Sequence, residues 1–148
     1  MKSILLLSGP NLNLLGEREP EIYGTETLDD HVKRAQVAAE RLGYELIHIQ
    51  SNSEGDLVEA IQNANESYSG ILINPGALTH YGWSIHDALA NFQGAIVEIH
   101  LSNPNAREPW RHTSVVAPVA NGSVIGFGGY GYELAIEGLN NLLKPNGE

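Results

Sequence analysis

The stretch Tyr44–Asn74, YELIHIQSNSEGDLVEAIQNANESYSGILIN, predicts a complete strand–helix–strand unit. Its two ends, Tyr44–Gln50 and Gly70–Asn74, are short segments rich in apolar residues of the kind that forms strands. Between them, Ser53 is in position to cap an amphipathic helix. Because a helical crossover joins parallel strands of a sheet, this unit predicts an α/β fold with a parallel sheet.

The same alternation continues toward both ends of the chain. Strands and amphipathic helices follow one another without a linker or an internal repeat, which predicts one domain over residues 1–148. The sheet would have five strands with helices on both faces, and the loops after the strands would meet at its carboxyl edge, where open α/β sheets bind ligands. The other predicted elements are strands at Ile4–Leu7, Gly94–Ser102 and Ser123–Phe127 and helices at 27–43, 84–92 and 131–144.

Composition argues against several classes of function. The formal net charge of −10 argues against nucleic acid or an anionic membrane as the main partner. The chain has no cysteine, so disulfides and thiolate metal sites are excluded and a cytoplasmic location is expected. No apolar run approaches the roughly 20 residues that a membrane-spanning helix needs. A small anionic substrate is compatible with this charge, because Arg18, Arg107 and Arg111 fall in predicted loops.

Residues 8–24, SGPNLNLLGEREPEIYG, form a long connection without helical or strand periodicity. Loops of this length in compact domains tend to be lids or binding loops, so we predict a lid here. Its Asn11, Arg18 and Tyr23 are candidates for chemistry. A guanidinium close to a phenol favours the ionised phenolate, which can act as a base in a closed site. The alternative is a surface loop whose tyrosine packs against the body of the domain.

Two further predicted loops carry candidate residues. Asn74 ends the third strand, and His80 and Asp87 follow it; Asn74 and His80 either bind substrate or satisfy the backbone of a turn. Glu98 and His100 are two apart on the fourth strand, so both side chains point to the same face. A carboxylate that holds an imidazole orients the ring and fixes its tautomer, as a general acid requires. The alternative for this pair is an ion pair that only stabilises the fold.

Beyond the fourth strand, cations and backbone donors suit an anionic substrate. Ser102 is the last residue of the predicted fourth strand, and Arg107 and Arg111 are four apart in the next segment, so they share a side if that segment is helical. By contrast, His80 and His86 are six apart, which does not match the i, i+4 spacing of a helical metal pair. We therefore expect no metal site.

A glycine-rich segment near the C-terminus matches a dinucleotide motif only formally. Gly126–Gly131, GFGGYG, has the G-x-G-x-x-G pattern, but only one predicted helix follows it. A dinucleotide site would need a further strand and an acidic residue about 20 positions on. We interpret the segment as a tight turn with a close backbone approach.

Five segments resemble, in order and spacing, the type II 3-dehydroquinate dehydratases. They are GPNLNLLGEREPEIYG, QSNSEGDLVEAI, INPGALTHYGWSIHDAL, EIHLSNPNAREPWRHTS and GYGYELAI, within a likeness that runs from about Ile4 to Leu143. The resemblance implies a flavodoxin-like three-layer sandwich, a homododecamer built as a tetramer of trimers, and no cofactor. It also implies reversible dehydration of 3-dehydroquinate to 3-dehydroshikimate through an enolate. This step of the shikimate pathway leads toward chorismate and aromatic amino acids, and quinate breakdown uses the same chemistry.

The resemblance further implies a role for each candidate residue. Tyr23 would remove a proton from C2 of the substrate, and Arg18 would favour its phenolate form. Asn11 would stabilise the enolate through a water. His100, oriented by Glu98, would protonate the departing C1 hydroxyl. The residues implied in substrate binding are Asn74, His80, Leu101, Ser102 and Arg111, with Arg107 in support and Asp87 reaching into the site of a neighbouring subunit.

The chain departs from the family pattern in three places. Ser8 stands where the family often has asparagine, YGWSIH precedes Asp87 where TSVALR is commoner, and WRHTS has one histidine fewer than FRHHS. The catalytic residue types are all kept. The alternative function is a non-catalytic flavodoxin-like module that binds a nucleotide or phosphate, although Pro10 and the asparagines beside it do not suit a phosphate-binding loop.

Overall fold

Five strands form one parallel sheet in the computed structural model, which describes residues 1–17 and 19–145. Neighbouring strands lie in the order β2-β1-β3-β4-β5, and every pair is parallel. This is the order of flavodoxin-like doubly wound folds, so the predicted fold class is confirmed. The strands are Lys2–Ser8 (β1), Tyr44–Gln50 (β2), Gly70–Asn74 (β3), Ala95–His100 (β4) and Gly122–Ile125 (β5).

Helices cover both faces of the sheet. The helices are Pro20–Tyr23 (α1), Leu28–Arg41 (α2), Glu54–Ser67 (α3), Trp83–Ala90 (α4) and Tyr130–Leu143 (α5). The second and fifth helices pack on one face, and the third and fourth pack on the other. Within the described ranges, none of the helices combines the length and the apolar character that crossing a membrane requires.

The apolar run of β1 contributes to both cores. Ile4 and Leu6 belong to the core under α2 and α5, whereas Leu5 and Leu7 belong to the core under α3 and α4. All four side chains are fully buried. Because successive side chains of a strand point to opposite faces, a strand covered on both sides is apolar at every position.

Side-chain caps and backbone bonds fix where the elements begin and end. Thr27 caps α2 by accepting a hydrogen bond from Asp30 N at 3.2 Å, and Ser53 caps α3 as predicted. The predicted strand ends at Ser102 and Phe127 are wrong, because β4 ends at His100 and β5 at Ile125. Beyond β5, two glycine N–H groups instead bond to the carbonyls of His100 and Leu101 and turn the chain.

Residues 8–24 contain more structure than the sequence pattern predicted. A 3-10 turn spans Leu12–Leu14, and α1 follows at Pro20–Tyr23. Leu12 and Leu15 are buried in the core under α2 and α5, which ties the first half of the segment to the domain. Arg18 and the side chain of Tyr23 lie outside the described residues, so their pairing stays a prediction.

The glycine-rich segment Gly126–Gly131 makes the turn from β5 into α5. Gly126 and Gly128 have positive φ angles of 90° and 57°, which glycine adopts without strain. Gly129 leaves no room for a side chain, because a Cβ there would lie 2.7 Å from Nδ1 of His31. The interpretation of this segment as a tight turn with a close backbone approach is confirmed. The group that lies close to the backbone of the turn is the ring of the buried His31.

His31 lies on α2 and is unusual for a core residue. The residue is 1% exposed, and its ring stacks on Tyr132 with 5.3 Å between the ring centroids. Among the described residues, neither of its ring nitrogens has a hydrogen-bond partner. Burial lowers the pKa of His31, because the imidazolium would lose its hydration.

We expect His31 to make the protein less stable in acid. Below about pH 6.5 the unfolded chain binds a proton at this position that the folded protein resists, so the free energy of unfolding falls as pH falls. His31→Phe keeps the stacked ring and removes the group that binds this proton. The variant should therefore lose less stability than the wild type between about pH 7.5 and pH 5. The pKa values of His48 and His80 are also lowered by burial, so part of the loss should persist.

Urea denaturation at the two pH values measures this effect. A His31→Phe protein whose stability falls in acid as steeply as that of the wild type would contradict the role assigned to His31.

Candidate active site

The carboxyl ends of β1, β3 and β4 meet at one edge of the sheet and line a pocket. The pocket is an open cleft of about 590 Å³, a volume that includes open solvent at its mouth. Its walls come from the three loops that the sequence singled out, in agreement with the site expected at the carboxyl edge of an open α/β sheet. The predicted site residues that line it are Asn11, Asn74, His80, His100, Leu101, Ser102, Arg107 and Arg111.

Glu98 and His100 form a hydrogen-bonded pair at this edge. Oε2 of Glu98 lies 2.6 Å from Nε2 of His100, and the Glu98 side chain is only 2% exposed. The pleat of β4 places both side chains on one face, as their spacing predicted. Because a carboxylate can only accept, Nε2 of His100 carries the proton, and any proton exchanged with a ligand passes through Nδ1.

Two hydroxyl groups that the sequence analysis missed complete the surroundings of Glu98. Thr79 donates to Oε2 of Glu98, and Oγ of Ser114 lies 3.0 Å from each carboxylate oxygen. Burial opposes ionisation of Glu98, yet the hydrogen bonds from His100, Thr79 and Ser114 lower the pKa of this carboxyl below its usual value. Glu98 is therefore a buried carboxylate at neutral pH, held by three donors.

His80 presents a fixed tautomer beside this pair. Its Nδ1–H donates to the carbonyl of Thr113 at 2.7 Å, so Nε2 is the acceptor of the neutral ring. Burial lowers the pKa of His80, and the neighbouring His100 and Arg111 act in the same direction. A neutral ring in this tautomer can accept a hydrogen bond from a ligand hydroxyl.

Asn74 shapes the turn after β3 and also lines the pocket. Its Oδ1 accepts a hydrogen bond from Gly76 N at 3.1 Å, and its backbone carbonyl accepts one from Gly9 N at 2.8 Å. The turn therefore uses the oxygen of the Asn74 amide, and Nδ2 is the group that can donate to a ligand. Asn74 can therefore satisfy the backbone of the turn and bind substrate at the same time.

Arg107 and Arg111 bring two guanidinium groups to the pocket. Arg107 donates to Oγ of Ser102 at 3.1 Å, and Arg111 donates to Glu108 at 3.1 Å while its guanidinium lies 4.0 Å from the ring centroid of Trp110. Both arginine side chains are only 14% exposed. Two short 3-10 turns align them, rather than one helix face. A partly buried pair of guanidinium groups favours an anionic ligand such as a carboxylate.

Asn11 and Asp87 are placed differently. Asn11 lines the pocket from the segment after β1, with a left-handed φ of 69° and a hydrogen bond from its N–H to Oδ1 of Asn52. Asp87 lies exposed on α4, outside the lining of this pocket. Its contact with a neighbouring subunit stays a prediction, as do the roles of Arg18 and Tyr23.

Comparison with known proteins identifies the family. The family model for Dehydroquinase class II matches residues 2–140. A 3-dehydroquinate dehydratase of Bacillus licheniformis is 53% identical over 136 residues, covering 92% of this chain and 94% of that protein. A catabolic 3-dehydroquinase of Aspergillus clavatus is 52% identical, covering 92% and 91%. The crystal structure of a type II dehydroquinase from Propionibacterium acnes matches with a TM-score of 0.91 at 42% identity, covering 95% and 97%. This chain therefore belongs to the class II dehydroquinase family.

Proposed function

We propose that this protein is a type II 3-dehydroquinate dehydratase, a hydro-lyase of the shikimate pathway that reversibly converts 3-dehydroquinate to 3-dehydroshikimate. The observation that carries this proposal is the hydrogen bond from His100 to the buried Glu98 at the edge of a pocket lined by guanidinium groups. Such a pocket supplies a proton donor and charge for an anionic substrate. Relatives named for this activity align over more than nine-tenths of their own length.

His100 is the general acid of the proposed reaction. Loss of water from carbon needs a proton for the leaving oxygen, and a positioned imidazolium supplies it. As the enolate electrons form the C1–C2 double bond, the C1–O bond breaks and the proton on Nδ1 of His100 moves to the leaving oxygen. Glu98 stabilises the imidazolium before the transfer and keeps the ring in one tautomer after it.

Tyr23 is the proposed base, on the segment between β1 and α2. As a phenolate it takes the proton from C2, and the electrons of the C–H bond move to the oxygen of the C3 ketone to give an enolate. Arg18 favours the phenolate by its positive charge. Asn11 stabilises the enolate oxygen through a water. The family pattern supports these roles, and the presence of Asn11 in the pocket wall supports the third.

The remaining pocket residues bind the substrate. Arg111, Asn74 and His80 hold its hydroxyl groups, and Arg107 supports them. The backbone of Leu101 and Ser102, with the Ser102 side chain, holds the carboxylate. We also propose a cytoplasmic homododecamer, a tetramer of trimers in which Asp87 reaches the site of a neighbouring subunit.

A non-catalytic module that binds a nucleotide or phosphate is not favoured. Such a module needs backbone donors and cations around a phosphate group. A carboxylate buried under a histidine has no function in that task, because it adds negative charge close to the ligand. The Glu98–His100 pair therefore supports proton transfer rather than phosphate binding.

The activity assay is direct. Incubation of the purified protein with 3-dehydroquinate should produce the ultraviolet absorbance of a conjugated enone, because dehydration places the C1–C2 double bond next to the C3 ketone. Heat-denatured protein gives the background rate. A folded protein that produces no more enone than this background would contradict the proposed function.

A further inference from the structure

We propose that Asn52 is a positioning residue for Asn11. By accepting a hydrogen bond from the N–H of Asn11, it holds that residue in the left-handed conformation and so aims the Asn11 side chain into the pocket. This inference rests on the proposed function, in which Asn11 stabilises the enolate. Asn52 belongs to the segment QSNSEG, for which the proposed mechanism has no other use.

The backbone of Asn11 adopts a conformation that needs support. Its φ is 69° and its ψ is −3°, in the left-handed region that non-glycine residues avoid. Asparagine tolerates this region better than most residues, but it occupies it only where neighbouring contacts favour it. The side chain of Asn11 makes no capping bond to the 3-10 turn that follows, and the turn contacts Asn11 only at its carbonyl, which accepts a hydrogen bond from Leu14 N at 3.0 Å.

The loop after β2 holds the N–H side of Asn11. Oδ1 of Asn52 accepts hydrogen bonds from Asn11 N at 3.0 Å and from Nε2 of Gln50 at 3.2 Å. The same Gln50 amide donates to the carbonyl of Gly9 at 3.2 Å. Asn52 and Gln50 together therefore bond to the two neighbours of Pro10, Gly9 and Asn11. These bonds fix the position of Asn11 relative to the end of β1.

The loop that carries Asn52 is itself fixed. Ser51 N donates to the carbonyl of Ser8 at 3.0 Å, which continues the pairing of β2 with β1 by one residue. Ser53 N donates to Oγ of Ser51 at 2.9 Å. Neither Gln50 nor Asn52 lines the active-site pocket, so Asn52 acts on the reaction through the segment that it holds, in which Asn11 carries the side chain that the proposed mechanism uses.

Asn52→Ala and Asn52→Asp separate this role from a general effect. Alanine removes the accepting oxygen, whereas aspartate keeps it. We expect Asn52→Ala to lower kcat for 3-dehydroquinate about 10-fold, the loss of alignment worth one hydrogen bond, with KM changed less than about twofold. Asn52→Asp should restore most of the activity.

Asn65 provides a matched control. It is also exposed, and it makes two similar bonds, with Oδ1 accepting from Gln93 N and Nδ2 donating to the carbonyl of Asn91. These contacts lie near the C-terminal ends of α3 and α4, away from the carboxyl edge of the sheet. Asn65→Ala should therefore keep the wild-type kcat. A loss of kcat that is equal in Asn65→Ala and Asn52→Ala, or equal in Asn52→Asp and Asn52→Ala, would overturn the proposal.

A double-mutant cycle tests whether Asn52 acts through Asn11. Asn11→Gly removes the amide side chain while allowing the left-handed backbone without strain. If Asn52 only positions Asn11, then Asn52→Ala should cost little further activity in the Asn11→Gly protein. Independent losses that multiply would refute the proposal.

A crystal structure of Asn52→Ala gives a readout independent of activity. The proposal predicts that Asn11 leaves the left-handed region, and a φ that stays near 69° contradicts it. If the wild-type protein fails to dehydrate 3-dehydroquinate, the proposed function fails. The structure of the variant then still decides whether Asn52 positions Asn11.

Discussion

Replacing His100 with alanine is expected to lower kcat for 3-dehydroquinate by about 10²- to 10⁴-fold, the range that a general acid contributes. KM should change little, because the proton is needed in the transition state rather than for binding. The physical basis is the 2.6 Å hydrogen bond through Nε2 to Glu98, which leaves Nδ1 to give the proton. Steady-state kinetics with wild-type and variant protein measure both constants.

Glu98→Gln should also impair proton transfer to the leaving oxygen, and it should lower kcat less than His100→Ala does. The amide is neutral and offers only one accepting oxygen, whereas His100, Thr79 and Ser114 all approach the Glu98 carboxylate. Combining it with His100→Ala should cost little more than His100→Ala alone, because Glu98 acts through the ring.

His80→Ala provides the contrast, since a binding residue should raise KM more than it lowers kcat. An intact kcat with a raised KM in His100→Ala would make His100 a binding residue. The general acid would then have to be assigned elsewhere.

Tyr23→Phe is expected to lower kcat by at least about 10³-fold, within the upper range for a general base. Ionising an ordinary phenol at pH 7 costs roughly 4 kcal/mol, so a phenolate base requires a nearby cation and a closed site. Phenylalanine keeps the ring and removes the hydroxyl that we propose takes the C2 proton, and the fold should be unaffected.

Tyr130→Phe is the matched control for this change. Tyr130 is 53% exposed at the start of α5 and lies outside the pocket lining, so its hydroxyl should be dispensable. The comparison of kcat for the two variants, with circular dichroism to verify folding, measures the effect. A Tyr23→Phe enzyme that turns over at a rate close to that of Tyr130→Phe would remove Tyr23 from the base role.

The fold was predictable because its signals are local. The fully apolar run of β1 indicates a strand covered on both faces, and the caps at Thr27 and Ser53 mark where two helices begin. Strand ends were less predictable. The turns beyond β4 and β5 depend on hydrogen bonds between the segments that follow these strands, and those bonds leave no periodic pattern in either segment.

The candidate site was predictable where two partners share one strand. Glu98 and His100 are two residues apart, so the pleat alone brings them together. Thr79 and Ser114 are 19 and 16 residues from Glu98, and Asn52 is 41 residues from Asn11, so only the packed loops show these contacts. For the contacts of Glu98, the sequence contains only a chemical indication. A buried carboxylate needs hydrogen-bond donors, and each of the two motifs around His80 and His112 contains a hydroxyl residue.

Exchange of the C2 hydrogen tests most directly whether base and acid are separate residues. In deuterium oxide, nuclear magnetic resonance of 3-dehydroquinate follows the entry of solvent deuterium at C2 alongside the loss of water. We predict that His100→Ala still exchanges this hydrogen while forming almost no enone, and that Tyr23→Phe does neither. Exchange that persists in Tyr23→Phe, or that disappears in His100→Ala together with water loss, would contradict the division of roles between the phenolate and the imidazolium.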